Sequence, residues 1–182
     1  MRIISGYAVK WGSWSIPIVE DGKEFSEQFE RGSFKESLEG KYQIACYKHD
    51  LSKEIASVDN ETLILKEDSV GLNYTIYLPD NRLGKQICSE IDNGLLSHVS
   101  VGFKDFECDW TTFAGKEFRS IRKAKLYEIS LVKTPAYKDT TIVDRGATSS
   151  TMIVTKIDNI LIEQERKNIL RKIEKARKIG KF

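Results

Sequence analysis

The chain has 182 residues, a length typical of one domain with a short extension. Hydrophobic residues make up 40% of the chain and charged residues 31%, a balance that supports a packed core and excludes disorder throughout. The formal net charge of +2 gives no argument for nucleic-acid binding, and no stretch has the ~20 apolar residues of a membrane-spanning helix. We therefore expect neither nucleic acid nor a membrane as a partner.

The cysteines and histidines are few and widely spaced. Cys46, Cys88 and Cys108 form no CxxC pair, and the two histidines, His49 and His98, complete no zinc-binding pattern with them. We expect free thiols in a reducing compartment, and no metal or other cofactor. The N-terminal residues lack the apolar segment of a signal peptide, so export is not expected.

Short runs rich in Val, Ile, Tyr, Phe and Thr, separated by Gly, Asp and Asn, predict a mainly β body. The predicted strands are, in chain order, Ile3–Trp11, Tyr42–Tyr47, Ile55–Asp59, Leu63–Glu67, Gly71–Leu78, Ser97–Cys108, Glu117–Lys133 and Thr141–Asp144.

Two stretches have helical patterns. Ser33–Leu38 opens with a Ser-x-x-Glu capping pattern, and Arg82–Asn93 has apolar residues four positions apart. Strands outnumber helices, and few strands are joined by segments long enough for a helix. We therefore expect an α+β protein, built as an antiparallel β-barrel or curled sheet with a few helices around it.

The composition changes near residue 146. Residues 146–151 are small or polar, as in a linker, and Met152–Phe182 carries nine Lys or Arg against four Asp or Glu. The tail has no proline and its only glycine is near its end, which predicts a basic helix. The predicted organisation is a β-barrel domain over residues 1–145, a linker over 146–151 and a basic helical tail over 152–182.

Three polar side chains lie where the strand pattern favours apolar ones. The first is His49, which follows the small apolar strand ending at Tyr47 and precedes Asp50. A histidine at a strand end is more often a solvated or capping side chain. It is also the side chain best suited to general-base catalysis, because imidazole titrates near neutral pH.

The second polar residue is Ser100, in the segment Val99–Phe103. Side chains alternate along a strand, so Ser100 and Gly102 share one face and Val99 and Val101 the other. Gly102 leaves space beside Ser100 that a substrate backbone could use. A polar outer face on an ordinary strand explains the pattern equally well.

The third is Glu128, on a predicted strand with apolar residues on both faces. A carboxylate in a strand buried on both sides has to be paired or hydrogen-bonded. Its partner could be Arg122, Lys125 or an imidazole. A serine, a histidine and a carboxylate are the parts of a nucleophile–base–orienter triad, although the residue pattern alone does not place them together.

Six short motifs follow one another between about Ile3 and Val143: Gly6–Gly12, Glu27–Phe34, Lys48–Asp50, Val70–Leu72, Val99–Phe103 and Leu126–Ala136. In this order they resemble the prohead maturation proteases of tailed bacteriophages, serine peptidases with a fold related to the herpesvirus assembly protease. Each motif is weak alone, but six in the same order with compatible spacing are fairly specific.

The resemblance implies roles for the three polar residues. The family's catalytic histidine falls on His49, its nucleophile on Ser100 rather than Ser97, and an acidic third member on Glu128. Herpesvirus relatives use a second histidine as the third member, but here His98 precedes the nucleophile and does not fit that order.

The resemblance also implies a biological setting. The substrates would be phage scaffold and major capsid proteins, digested inside the assembling procapsid in the host cytoplasm. The protease would trim itself as well, and a homo-oligomer is compatible with the herpesvirus relatives. Two alternatives remain: a non-catalytic capsid-assembly or scaffolding module that keeps the fold, and a β-barrel binding domain with no phage role. The second leaves the ordered motifs unexplained.

Overall fold

The computed structural model describes residues 1–140 and 142–145. In chain order its elements are β1 (Ile3–Lys10), β2 (Ile18–Glu20), β3 (Lys23–Phe29), α1 (Lys35–Leu38), β4 (Ile44–Tyr47), β5 (Asp50–Ser57), β6 (Leu63–Glu67), β7 (Gly71–Tyr77), α2 (Arg82–Asp92), β8 (His98–Phe113), β9 (Lys116–Val132) and β10 (Val143–Asp144). The expectation of a mainly β protein with few helices is confirmed. The predicted linker and basic tail lie outside the described residues.

The strands form two open sheets. One has four strands in the order β10-β1-β7-β6, and the other has six, in the order β2-β3-β9-β4-β5 with β8 also paired to β9. Neither sheet closes on itself, so the expectation of a barrel is wrong. The physical reason is that β9 pairs in parallel with two short strands, β3 near its start and β4 near its end, which leaves free sheet edges instead of a closed ring.

The carboxyl-terminal half of β9 is the centre of the larger sheet. Its neighbours are β8, through pairs from His98↔Val132 to Gly102↔Glu128, and β4. Every residue from Glu128 to Val132 is buried, which confirms that this strand is covered on both faces. A single hydrophobic core includes side chains from both sheets, among them Ile4, Ile76 and Leu131.

Strands β8 and β9 make one long antiparallel hairpin. It reverses at Ala114 and Gly115, both with positive φ (50° and 74°), between the paired residues Phe113 and Lys116. Positive φ at both central positions is the geometry that matches the twist of paired strands. The predicted strand that ended at Cys108 therefore runs five residues further.

The helix ends differ in how they are capped. Ser33 does not cap α1, whose N-cap is Phe34 without a side-chain hydrogen bond; the Ser33 hydroxyl donates instead to the Ile121 carbonyl, at 2.9 Å. Asn81 caps α2 by accepting a hydrogen bond from the Gly84 backbone. None of the described helices is long and apolar enough to cross a membrane.

Candidate active site

His49 lies in the two-residue turn between β4 and β5. Lys48 and His49 have φ values of 54° and 61°, a left-handed conformation that costs energy for residues other than glycine. Two hydrogen bonds hold it: the Lys48 N–H donates to the Leu131 carbonyl at 3.2 Å, and the His49 N–H donates to Ser130 Oγ at 3.0 Å. The end of β9 thus determines where the imidazole lies.

Glu128 is the carboxylate partner of that imidazole. Its Oε1 lies 2.7 Å from His49 Nδ1, and its Oε2 accepts a hydrogen bond of 2.6 Å from the Ser130 hydroxyl. The side chain is 6% exposed. Of the three partners left open by the sequence, the structure thus places the imidazole against the carboxylate. Arg122 pairs with Asp109 instead, at 3.1 Å.

The contact fixes the chemistry of the imidazole. A carboxylate oxygen accepts hydrogen bonds, so Nδ1 carries the proton and the neutral ring keeps its lone pair on Nε2. The hydrogen bond that the imidazole donates to Glu128 raises the pKa of His49 above its ordinary value, against the opposing effect of partial burial. The ring is half exposed, so a substrate can reach its outer side.

Ser100 lies on the neighbouring strand, on the same face as the carboxylate. In the β8–β9 ladder Ser100 is the partner of Ser130, and Gly102 is the partner of Glu128. Directly opposed residues in an antiparallel pair project to the same face, with Cβ atoms about 4.5–5.5 Å apart. Ser100 is 9% exposed. Its position is therefore next to the group that orients His49.

Gly102 has a different role from the one that its sequence suggests. A Cβ atom built at Gly102 would lie 2.2 Å from Glu128 Oε1 and 2.9 Å from its carboxyl carbon. The space on the side-chain side of Gly102 is thus filled by the Glu128 carboxylate and is not open, as the sequence pattern had suggested. A glycine is needed there because the carboxylate packs directly on the backbone of β8.

Ser100 and His49 are not hydrogen-bonded to each other in this structure. Among the hydrogen bonds of residues 1–140 and 142–145, His49 bonds to Glu128 and Ser130, and none joins it to Ser100 Oγ. Hydrogen bonds between a nucleophile and its base are often long without substrate and tighten in the complex. The second histidine, His98, has its Nδ1 2.8 Å from Ser97 Oγ, so the adjacent serine is its hydrogen-bond partner.

Cys46 is buried beside the same residues, as the parallel-strand partner of Ser130. Burial, with a smaller contribution from Glu128, raises the pKa of its thiol to about 12. The thiol therefore stays protonated at neutral pH, and a protonated thiol is a poor nucleophile. This agrees with the sequence, which gives no sign of a cysteine nucleophile.

An open cleft of about 400 Å³ adjoins His49. Its lining comes from β8, from β9, from the His49 turn and from the short strands β2 and β3, which the sequence pattern did not predict: Ile18, Val19, Glu20, Glu27, His49, Val101, Gly102, Phe103, Asp105 and Arg119. Strand β2 has only three residues, and along β3 the buried Glu27 lies between the buried Phe25 and Phe29 and interrupts the apolar alternation that predicts a strand. The cleft gives the imidazole a surface against which a polypeptide can lie.

A buried ion pair forms one wall of the cleft. The Arg119 guanidinium donates to Glu27 Oε2 from two of its nitrogens, and the Tyr137 hydroxyl donates to Glu27 Oε1 at 2.9 Å. The Arg119 guanidinium also lies 4.7 Å from the centre of the Phe25 ring. This wall is therefore rigid, because every group of the pair is hydrogen-bonded or stacked.

Of the comparisons with known proteins, one identifies a family. A search of the curated proteins finds no match. The family model described as caudovirus prohead serine protease matches residues 1–156, a range that contains Ser100, His49, Glu128 and the whole of the described structure. Since the match covers most of the chain, the protein belongs to the family of caudovirus prohead serine proteases.

Proposed function

We propose that this protein is a serine endopeptidase that cleaves scaffold and capsid precursors during phage head maturation, with Ser100 as nucleophile, His49 as general base and Glu128 as the orienting carboxylate. The observation that carries the proposal is the 2.7 Å contact between His49 Nδ1 and Glu128 Oε1, made beside the strand that carries Ser100. The chain belongs to a family of serine peptidases, and this membership indicates the class of reaction.

In the proposed mechanism Ser100 Oγ attacks the carbonyl carbon of the scissile peptide, and His49 Nε2 takes the hydroxyl proton. The tetrahedral intermediate collapses when His49 returns that proton to the leaving amine. Water then repeats both steps on the acyl-enzyme and releases the carboxyl product. Glu128 keeps Nδ1 protonated and stabilises the imidazolium that forms in each step.

The half-exposed imidazole at the wall of an open cleft favours a polypeptide as the substrate. An open cleft of about 400 Å³ accommodates side chains of an extended segment, whereas small-molecule sites enclose most of their ligand. The expected substrates are scaffold and major capsid proteins, inside the procapsid assembling in the host cytoplasm. Self-cleavage between the described domain and the basic tail fits the small-polar residues 146–151.

The test is cleavage of the phage's own capsid and scaffold precursors, expressed together with this chain. Wild-type protein should yield shortened products, and Ser100→Ala should yield none while keeping its fold. Ser97→Ala, immediately before β8, is the matched control and should cleave normally. If Ser100→Ala cleaves like the wild type, Ser100 is not the nucleophile. If the wild type assembles with the precursors without cutting them, the non-catalytic assembly module is the better description.

A further inference from the structure

Ser130 is a wholly buried serine that the proposed triad does not use. Its hydroxyl contacts both of the groups that hold the imidazole: it lies 3.0 Å from the His49 backbone nitrogen and 2.6 Å from Glu128 Oε2. With its side chain fully buried, Ser130 is out of reach of a substrate and is no rival nucleophile to Ser100.

Chemistry fixes the direction of both hydrogen bonds. The His49 backbone N–H only donates, so the Ser130 oxygen accepts from it, and the one hydroxyl proton is left for the carboxylate oxygen of Glu128. The Ser130 hydroxyl is therefore used fully, as an acceptor on one side and a donor on the other. A hydroxyl used in this way has a single orientation, and it fixes the two groups that it contacts.

The two contacts act on opposite ends of the His49–Glu128 pair. One holds the backbone of the left-handed turn that carries His49, where φ is 61°. The other holds the carboxylate oxygen that does not contact the ring, so that Oε1 is the oxygen presented to Nδ1. The Lys48 N–H of the same turn also donates to the Leu131 carbonyl on β9, but that hydrogen bond does not reach the carboxylate.

We propose that Ser130 is a positioning residue for the reaction: its hydroxyl ties the His49 turn to the Glu128 carboxylate, and so keeps Nδ1 on Oε1 and leaves Nε2 free for the Ser100 proton. This inference rests on the proposed function. It predicts a defect in the proton transfer rather than in substrate binding, because Ser130 is buried and is not part of the cleft lining.

The experiment compares Ser130→Ala with wild type, using a peptide substrate taken from the cleaved precursor and rates referred to folded protein. The partners that orient metal-binding histidines are each worth about 10- to 100-fold in activity, and we expect a loss of kcat of similar size with KM unchanged. The rate at which Ser100 reacts with a fluorophosphonate should fall in parallel, because that reaction needs the base but no peptide binding.

A spectroscopic readout separates positioning from simple destabilisation. The Nδ1 proton of His49 should give a downfield proton NMR signal in wild type, assigned by comparison with His98→Gln, since the chain has two histidines. In Ser130→Ala that proton should exchange faster with water or lose its signal. Ser37→Ala is the control: the Ser37 hydroxyl is also buried and also accepts from a β9 backbone N–H, that of Leu126 at 2.8 Å, without contacting His49 or Glu128.

Ser130→Thr keeps the hydroxyl and should restore part of kcat and the Nδ1 signal. If Ser130→Ala does not fold, Ser130→Cys, which nearly keeps the volume but donates weakly, should show the same kcat loss. The inference is overturned if a folded Ser130→Ala or Ser130→Cys keeps wild-type kcat and an unchanged signal. Ser100→Ala distinguishes failure of this inference from failure of the proposed function. If Ser100→Ala is fully active, the proposed triad is wrong. If Ser100→Ala is inactive and Ser130→Ala is fully active, only the role of Ser130 is wrong.

Discussion

Gly102 on β8 lies opposite Glu128 on β9, and the carboxylate occupies the place of the side chain that glycine lacks, 2.2 Å from where a Cβ atom would be. The glycine of the Ser-x-Gly motif is therefore coupled to the carboxylate of a distant motif. Packing therefore requires glycine at position 102, because a larger side chain would occupy the place of the carboxylate.

Gly102→Ala should displace the Glu128 carboxylate from His49. The carboxylate cannot yield easily, because His49 and Ser130 hold its two oxygens. A misplacement of about 1 Å near the chemistry can cost 10²-fold in rate, and we expect a loss of kcat of at least that order. Peptide hydrolysis measures the rate, and the His49 ring resonances should report a pKa closer to the ordinary value. Wild-type kcat with an unchanged His49 pKa would contradict this reading of Gly102.

Glu128→Gln should lower kcat strongly and move the pH–rate profile. His49 acts as a base when neutral, so in wild type kcat/KM rises with pH through the pKa of His49, which the Glu128 hydrogen bond holds above its ordinary value of about 6.5. An amide cannot favour the charged ring, so the acid limb should shift to lower pH while the maximal rate falls. A profile whose acid limb stays in place would show that Glu128 does not set the protonation of His49.

The same contact should make stability depend on pH. The pKa of His49 is raised in the folded state, so its protonation adds stability that is fully present below its unfolded pKa and is lost as pH rises through the raised value. The difference in Tm between wild type and Glu128→Gln should therefore be larger at about pH 6 than at about pH 9. Thermal unfolding at the two pH values measures it, and a difference that grows toward high pH would contradict the assigned sign.

Glu27→Gln should destabilise the domain more than Asp105→Asn. Glu27 and Arg119 are nearly inaccessible, at 4% and 12% exposed, whereas Asp105 is 31% exposed and lies 3.5 Å from the same guanidinium. Removing one member of a buried ion pair leaves an unpaired charge and costs about 3–5 kcal/mol, while a partly exposed pair is worth about 0–1 kcal/mol. Urea unfolding of the two variants gives the comparison. Equal effects would mean that solvent screens the Glu27–Arg119 pair as well.

Truncation after Ser150 should leave a folded and active protein. The core and the three proposed triad residues all lie at or before Tyr137, in the described part of the chain. The sequence of the basic tail predicts a helix without one continuous apolar face, and a helix of that kind is marginal without a partner. Peptide hydrolysis and Tm should therefore be close to wild type, with weaker incorporation into procapsids. Unfolding of the truncated chain would show that the tail is part of the core.

The sequence by itself determined which side chains share a face. Alternation along a strand places Ser100 with Gly102, and Glu128 with Ser130, and the apolar residues around Glu128 indicate a strand buried on both sides. The order of six motifs was also enough to identify the family, which the family model confirms. These features depend on local periodicity and on residue order, and both are visible in a linear chain.

Only the tertiary structure decided which strands are neighbours and how they are aligned. His49 and Glu128 are 79 positions apart, and they meet because β4 pairs in parallel with the end of β9 while β8 pairs with it on the other side. Local patterns favoured a closed barrel, but the same parallel pairs leave the two sheets with free edges. The left-handed turn at His49 and the hydroxyl of Ser130 that holds it have no local signal either. Pairing and register depend on packing between segments far apart in the chain, which the pattern of one segment does not contain.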